Sequence, residues 1–329
     1  MKIPEKILVY VYEDLLGDAL LKLPFVATLR HLFPKAHIAW CAGGGHTFYK
    51  GIFRPLVAAY LDDVIEVPLG RDWRELFAAS PLKGKSYDLI IDTQRDVVPT
   101  LALKKIAHDM FVSRTAGFLF SDFRPLKNMS WKGHLSERLL NLLSLYTQKN
   151  IQPAAYALPD LAPQKKAVAS FFKKGKQYVG FAPGAGNVKK CWPKENFLNA
   201  AAAFKTQGCV PVFILGPAEK HLYHFFKEGS PGALFPLQEK PALLKDPLNT
   251  TALGFHLNAC VVNDAGVGHL MGLSPTHLVS LFGPTLAEKV HPLSEKITLI
   301  KAQKFGSDRM EDIPVDAVLD ALKAVEKSL

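Results

Sequence analysis

Four short stretches of the chain carry side chains whose type and spacing suit chemistry on a polar, anionic ligand. The first is Glu13-Asp14-Leu15-Leu16-Gly17-Asp18, which follows an apolar run and opens a helical pattern. Asp18 falls where that helix should begin. A carboxylate there can cap the helix by accepting backbone N–H bonds. It can also serve as a general base, because a helix N-terminus favours the ionised form by roughly 0.3–1 kcal/mol and a base must be ionised to act. The second stretch is PGAGNVKKCWPKENF, residues 183–197. Gly184 and Gly186 would let backbone amides approach a ligand closely. Lys189 or Lys190 offers a compact positive charge for a phosphate, and as a plain loop the same lysines would be solvated. Pro193 and Glu195 read as the first and third positions of the next helix. Cys191 reads as a packing residue, since no His or carboxylate partner is indicated for it.

The third stretch is Gly216-Pro217-Ala218-Glu219. Glu219 would accept both hydroxyls of a ribose, or face solvent at a helix start. His221 and His224 nearby read as surface residues, because no third metal ligand is indicated. The fourth is Asn263-Asp264-Ala265-Gly266-Val267-Gly268-His269-Leu270, which ends an apolar strand and opens an apolar helix. Small residues there expose the first amides of the helix, around Gly266, Val267 and Gly268, as an anion site. Asp264 would cap that helix or grip sugar hydroxyls. His269 would donate to a phosphate or pack as a buried side chain. A second glycine turn, Phe282-Gly283-Pro284-Thr285, follows the next strand.

These stretches punctuate an alternation of short β-branched runs and longer helical patterns. Strands are expected at 7–12, 37–41, 64–67 and 89–92, with a helix over about 19–33 that Pro24 should kink, and an amphipathic helix at 134–144. Residues 153–163, PAAYALPDLAP, hold three prolines without a regular period and read as a linker. The pattern then restarts. Strands are expected at 178–182, 210–215, 259–263, 278–282 and 297–300, with helices at 193–204 and 314–328. Strand–helix alternation at this spacing implies parallel sheets with helices on both faces. Two doubly wound domains, residues 1–160 and 161–329, are therefore expected, with ligands beyond the carboxyl ends of the strands and an active site in the cleft between the domains.

Composition narrows the function classes. The 329 residues are 48% hydrophobic and 21% charged, a globular balance that excludes long disorder, collagen and coiled-coil arrays. The formal charge of +10 is spread evenly, with 20 basic and 15 acidic residues in 1–150 and the same numbers in 151–329. An even excess fits small phosphate ligands or an acidic membrane surface better than nucleic acid, for which no basic run interleaved with aromatics is present. The four cysteines have no metal or disulfide spacing, which suggests a reducing cytosol. The N-terminus lacks the pattern of a signal peptide. Residues 265–287 contain no charged side chain, but glycines and prolines interrupt them, so a spanning helix is not expected. Neither half carries GxGxxG after its first strand, which disfavours a nicotinamide oxidoreductase.

Taken together, LLGDALLKLP (15–24), PGAGNVKKCWP (183–193), GPAE (216–219), NDAGVGHL (263–270) and SLFGPT (280–285) resemble glycosyltransferase family nine, the ADP-heptose:lipopolysaccharide heptosyltransferases and their relatives. DRMEDIPVDAVLDAL (308–322) resembles the family's last loop and helix. The resemblance implies a GT-B fold of two Rossmann-like domains, acceptor-binding then donor-binding, with the C-terminal helix returning toward the first. It implies inverting, metal-independent transfer of a heptose from ADP-heptose to a lipid-linked inner-core acceptor, without a cofactor. The family's catalytic Asp falls on Asp18 and its phosphate-binding Lys on Lys190. Its ribose-side acid falls on Glu219, and its Asp-x-Gly-x-x-His segment on Asp264, Gly266 and His269. For an anionic acceptor, Gly17 beside Asp18 and the cations Arg95, Arg114, Arg124 and Lys132 are candidates. The implied location is cytoplasmic, with peripheral attachment at the inner face of an inner membrane as the further expectation. The chain departs from the family's hydroxyl-bearing residues at Ala265, Gly186 and Asn187, and has Tyr12-Glu13-Asp14 at the start of the first turn. The alternatives are another nucleotide sugar, or a GT-B-like binding protein without turnover.

Overall fold

A computed structural model describes residues 3–127 and 129–326. The chain divides into two compact units, residues 1–159 and 160–329. The first unit runs β1 (Lys6–Val11), α1 (Leu16–Leu21), α2 (Leu23–Leu32), β2 (His37–Ala42), α3 (Arg54–Val57), β3 (Asp63–Glu66), β4 (Ser86–Asp92), α4 (Val97–Lys104), β5 (Ala107–Val112), a turn labelled α5 (Thr115–Phe118) and α6 (Leu135–Thr147). Its strands are all parallel, in the order β3-β2-β1-β4-β5. Ile7 to Val11 are fully buried, as a central strand covered on both faces requires. The helix expected over 19–33 breaks in two. Lys22 ends α1, and Pro24 lies in the first turn of α2, where its missing N–H leaves no gap.

The second unit runs α7 (Ala162–Val168), β6 (Tyr178–Ala182), α8 (Lys194–Thr206), β7 (Val210–Phe213), α9 (Tyr223–Gly229), α10 (Pro236–Glu239), α11 (Leu248–Gly254), β8 (Ala259–Asn263), α12 (Gly266–Gly272), β9 (His277–Phe282), α13 (Ala287–Val290), β10 (Ile297–Lys301) and α14 (Val315–Glu326). These strands are also all parallel, in the order β10-β9-β8-β6-β7. Alternate residues of the strands feed two cores. Val179, Phe181, Val261 and Leu281 pack with Phe197 and Phe204 of α8 and Val318 and Leu322 of α14. Ala182, Val262 and Leu278 pack with Leu253 of α11 and Met271 of α12. The terminal helix packs in the second unit, where Val318 and Leu322 give it a buried face. Residues 327–328 of that expected helix lie outside the described residues. α7 begins inside the stretch expected to be linker, with Pro163 in its first turn.

Both sheets reverse strand order beside their first strand. In the first unit the reversal lies between β1 and β4, and Tyr10 is in register with Asp92. In the second it lies between β6 and β8, and Ala182 is in register with Val262. Such switch points leave a crevice at the carboxyl ends of the strands, where ligands of open α/β sheets bind.

Candidate functional site

In the first unit the segment that follows β1 at the switch point carries two aspartates of opposite character. Asp14, just past β1, is 2% exposed. It ion-pairs with Lys22 and accepts hydrogen bonds from Trp40 Nε1 at 3.0 Å and the Thr47 hydroxyl at 2.8 Å. A carboxylate so saturated anchors the loop and has little capacity left for substrate. Asp18 is half-buried in the first turn of α1. Leu15 occupies the cap position, so the expectation that Asp18 caps the helix is corrected. The carboxylate lies three residues further on, because the helix begins at Leu16, earlier than expected, and takes Asp18 into its first turn. Among the described residues no hydrogen bond or ion pair engages it. Gly17 precedes it in the same turn and is half-buried.

The loop after β4 is tied back to β1, since the Thr93 hydroxyl donates to the Tyr10 carbonyl at 2.8 Å. Beneath it Asp92 is fully buried, accepting from the hydroxyls of Thr100 at 2.6 Å and Ser113 at 3.0 Å and from the Gln94 amide at 2.9 Å. Burial pushes its carboxyl up to about 6, against the pull of those hydrogen bonds. A cavity of about 490 Å³ opens above, lined by residues that include Thr93, Arg95, Arg114, Ala116, Arg138 and Leu142. Two of the expected acceptor-side cations, Arg95 and Arg114, thus come together. Arg124 is not among the lining residues, and its Nη1 donates to the Phe118 carbonyl at 2.5 Å. Lys132 is exposed and is not among the lining residues either. The cation that sequence reasoning missed is Arg138. Leu135, Arg138, Leu139 and Leu142 line the cavity at the i, i+3, i+4, i+7 spacing of one helix face. A charge inside an otherwise apolar stripe was the legible signal.

In the second unit the loops after β6 and β8 are joined by Asn263, which is fully buried. Its Nδ2 donates to the Pro183 carbonyl at 2.7 Å, and its Oδ1 accepts from the Trp192 amide at 3.1 Å. Trp192 Nε1 in turn donates to the Ile313 carbonyl at 2.9 Å. Asn187 Oδ1 accepts from the Lys189 amide at 2.9 Å and so shapes the short 3₁₀ turn Val188–Lys190. This framework sets Lys190 Nζ 2.7 Å from Asp264 Oδ2. Lys190 and Asp264 therefore meet across the switch point, although 74 positions separate them in the sequence. Asp264 does not cap α12, because Ala265 holds that position and supplies no side-chain bond. The expectation of a capping Asp264 is corrected; its carboxylate turns to the lysine instead.

Glu219 closes the same region. A Cβ placed on Gly216 would meet Glu219 Oε2 at 2.7 Å, and one on Gly184 would overlap the same carboxyl group. Gly184 thus makes room for Glu219, whereas a Cβ on Gly186 would meet nothing. Burial and the nearby Glu219 charge push the Cys191 thiol above its ordinary range, against a hydrogen bond from the Ala185 amide, as suits a packing residue. In α12 the Gly268 amide donates to the Ala265 carbonyl at 3.0 Å, so it is already engaged within the turn. Val267 packs against the core and His269 is buried. Among the described residues no group of three or more metal-ligating side chains comes together.

Two Rossmann-like units, each with a ligand crevice at its switch point, are the architecture of the GT-B fold. The family model for glycosyltransferase family 9 (heptosyltransferase) matches residues 76–312, and the chain belongs to that family. It is 24% identical over 326 residues to lipooligosaccharide heptosyltransferase 2 of Haemophilus influenzae, covering 87% of this chain and 85% of the relative. In fold it resembles a glycosyltransferase family 9 protein of Veillonella parvula, with a TM-score of 0.73 at 18% identity, covering 100% of this chain and 99% of the other. It also resembles E. coli heptosyltransferase WaaC solved with ADP-2-deoxy-2-fluoro heptose, with a TM-score of 0.64 at 19% identity, covering 97% and 99%.

Proposed function

We propose that this glycosyltransferase moves a heptose from ADP-heptose to a lipopolysaccharide inner-core or related lipid-linked saccharide, with inversion. The observation that carries the donor side is the meeting of Lys190 and Asp264 at 2.7 Å at the β6/β8 switch point. The E. coli relative holding an ADP-heptose analogue supports the choice of donor. An incoming diphosphate competes with Asp264 for Lys190 and releases that carboxylate to accept a sugar hydroxyl. Glu219, beside Gly184 and Gly216, receives the ribose. The first amides of α12 and buried His269 face the phosphates, and Val267 contributes through its backbone because its side chain packs inward.

In the first unit, Asp18 takes the proton of the acceptor hydroxyl as that oxygen attacks the anomeric carbon. The new C–O bond forms as the bond to the diphosphate oxygen breaks, and ADP departs with the electron pair. General-base assistance is worth about 10²–10⁴ in rate. Fixed donors opposing the charge that grows on the leaving group contribute on the order of 3 kcal/mol each. With lysine charge supplied, the reaction proceeds without a metal ion. Gly17 and the cations Arg95, Arg114 and Arg124 serve the acceptor side in this reading. The protein works in the cytoplasm, against the inner face of the membrane that carries the acceptor.

The test is a donor panel. Purified protein is incubated with ADP-heptose, UDP-glucose and GDP-mannose, and binding is read by thermal shift. ADP-heptose should give the largest stabilisation, and product should form with a truncated inner-core acceptor. A larger shift with another nucleotide sugar would reassign the donor. Binding without transfer or hydrolysis would make the chain a binding protein.

A further inference from the structure

The cavity of the first unit has a chemistry of its own. Three guanidinium groups line it, those of Arg95, Arg114 and Arg138, against a single carboxylate, the exposed Asp96. The Nε atoms of Arg114 and Arg138 are buried and have no hydrogen-bond partner among the described residues. No carboxylate among those residues lies within ion-pair distance of any of the three. Buried, unpaired donors on charged groups are costly and persist where something else needs them. Arg114 is packed over the ring of Trp131, its guanidinium carbon 4.2 Å from the centroid. Stacking of that kind fixes the plane of the group and leaves the edges of its fork for a ligand.

The backbone beside Arg114 points the same way. Ala116, Gly117 and Phe118 have φ of 49°, 65° and 71°, three successive residues in the left-handed region, two of them bearing a Cβ. Ala116 itself lines the cavity. Strain of this kind gathers at binding sites and is rare elsewhere. Burial, reinforced by the positive charges of Arg95 and Arg138, pulls the Arg114 guanidinium down to about 10. The folded protein therefore holds these charges together at a penalty that an anion would relieve.

We propose that this cavity binds a phosphate dianion, free or as a phosphomonoester on the saccharide acceptor, gripped by Arg114 and Arg138 with Arg95 at its exposed edge. Three positive charges against one negative leave an excess of two, which a phosphate dianion matches and a lone carboxylate does not. As an acceptor subsite the inference rests on the function proposed above; as an anion site it does not.

The experiment uses the full chain carrying Lys190→Ala, which removes the phosphate lysine of the second unit. Calorimetric titrations with inorganic phosphate, glucose 6-phosphate and acetate are compared at constant ionic strength. Both phosphates should bind and acetate should not. Arg114→Gln and Arg138→Gln should each weaken phosphate binding at least about tenfold, with unchanged circular dichroism. Arg95→Gln, at an exposed position, should weaken it in the same direction. Tighter binding of the sugar phosphate assigns the anion to the acceptor, and tighter binding of inorganic phosphate assigns it to the free ion; either sustains the site. Unaltered affinity in all three arginine variants, acetate binding as tightly as phosphate, or no binding of either phosphate at millimolar concentration would overturn it. No transfer is read, so a chain that binds phosphate here yet ignores ADP-heptose would refute the proposed function alone.

Discussion

Three residues separate Asp14 from Asp18, and the surroundings of the two aspartates divide the labour between them. Asp14 is held by Lys22, Trp40 and Thr47, while the carboxylate of Asp18 remains open. Lys22→Met should therefore destabilise the first unit by about 3 kcal/mol, because it leaves a buried carboxylate without its counter-ion. Chemical denaturation would show this as a lowered midpoint, and a midpoint equal to that of the unaltered chain would deny Asp14 its anchoring role. In the second unit, Lys190→Ala removes the positive partner of Asp264. Loss of one charge-assisted contact to a phosphate should weaken ADP affinity by about ten- to a hundredfold. Titration calorimetry gives the answer directly, and an unchanged affinity would take Lys190 out of the donor site.

At the scale of elements, each sheet brings two loops to one crevice, and buried polar side chains hold the loops in place. Asn263 does this for the second unit and Asp92 for the first. Asp92 makes the arrangement pH-sensitive. Its carboxyl rises from 3.8 to about 6 through burial, with a lesser push from Asp96. The folded chain thus keeps a proton that the unfolded chain has lost between about pH 4 and pH 6. Stability falls through that window as pH rises, and above it the full penalty, about 3 kcal/mol at roughly 1.4 kcal/mol per pH unit, is present. Asp92→Asn should remove this component. Urea unfolding at pH 4 and pH 7 should find the variant gaining up to about 3 kcal/mol on the unaltered chain between the two. An identical pH dependence in both proteins would mean that folding leaves the Asp92 carboxyl at its ordinary value.

Much of this level was legible in the sequence. The strands at 37–42 and 178–182 are apolar runs ended by small residues or proline, and Pro24 marked the break between α1 and α2. β5, AHDMFV, escaped because it is an edge strand whose half-exposed residues mix His and Asp into the pattern. Lys190 and Asp264, of the loops after β6 and β8, were readable from their motifs. Their contact was not, because it depends on Asn263 drawing two distant loops together. Nor was the cap of either short helix readable, since Leu15 and Ala265 hold those positions without the hydrogen-bonding side chain that marks a cap in sequence.

For the whole molecule, the proline-rich stretch and the restart of the strand pattern foretold two units, and the structure divides the chain at 159/160. The charge of +10 is a property of this scale too. Among the described residues no helix is long and apolar enough to cross a membrane. In the proposed function, contact with a lipid-linked acceptor at an anionic membrane surface draws on this positive charge, which salt screens over about 8 Å at physiological ionic strength. The protein should sediment with vesicles rich in anionic lipid at low salt and come free at high salt. Failure to sediment at low salt would remove the membrane from the account.

The most direct measurement of the central claim is transfer of heptose from ADP-heptose by Asp18→Asn, set beside donor binding by the same protein. Asparagine keeps the shape and cannot take a proton, so turnover should fall at least about a hundredfold while donor affinity stays unchanged. Turnover within a few-fold of the unaltered enzyme would contradict the assignment of Asp18 as the base.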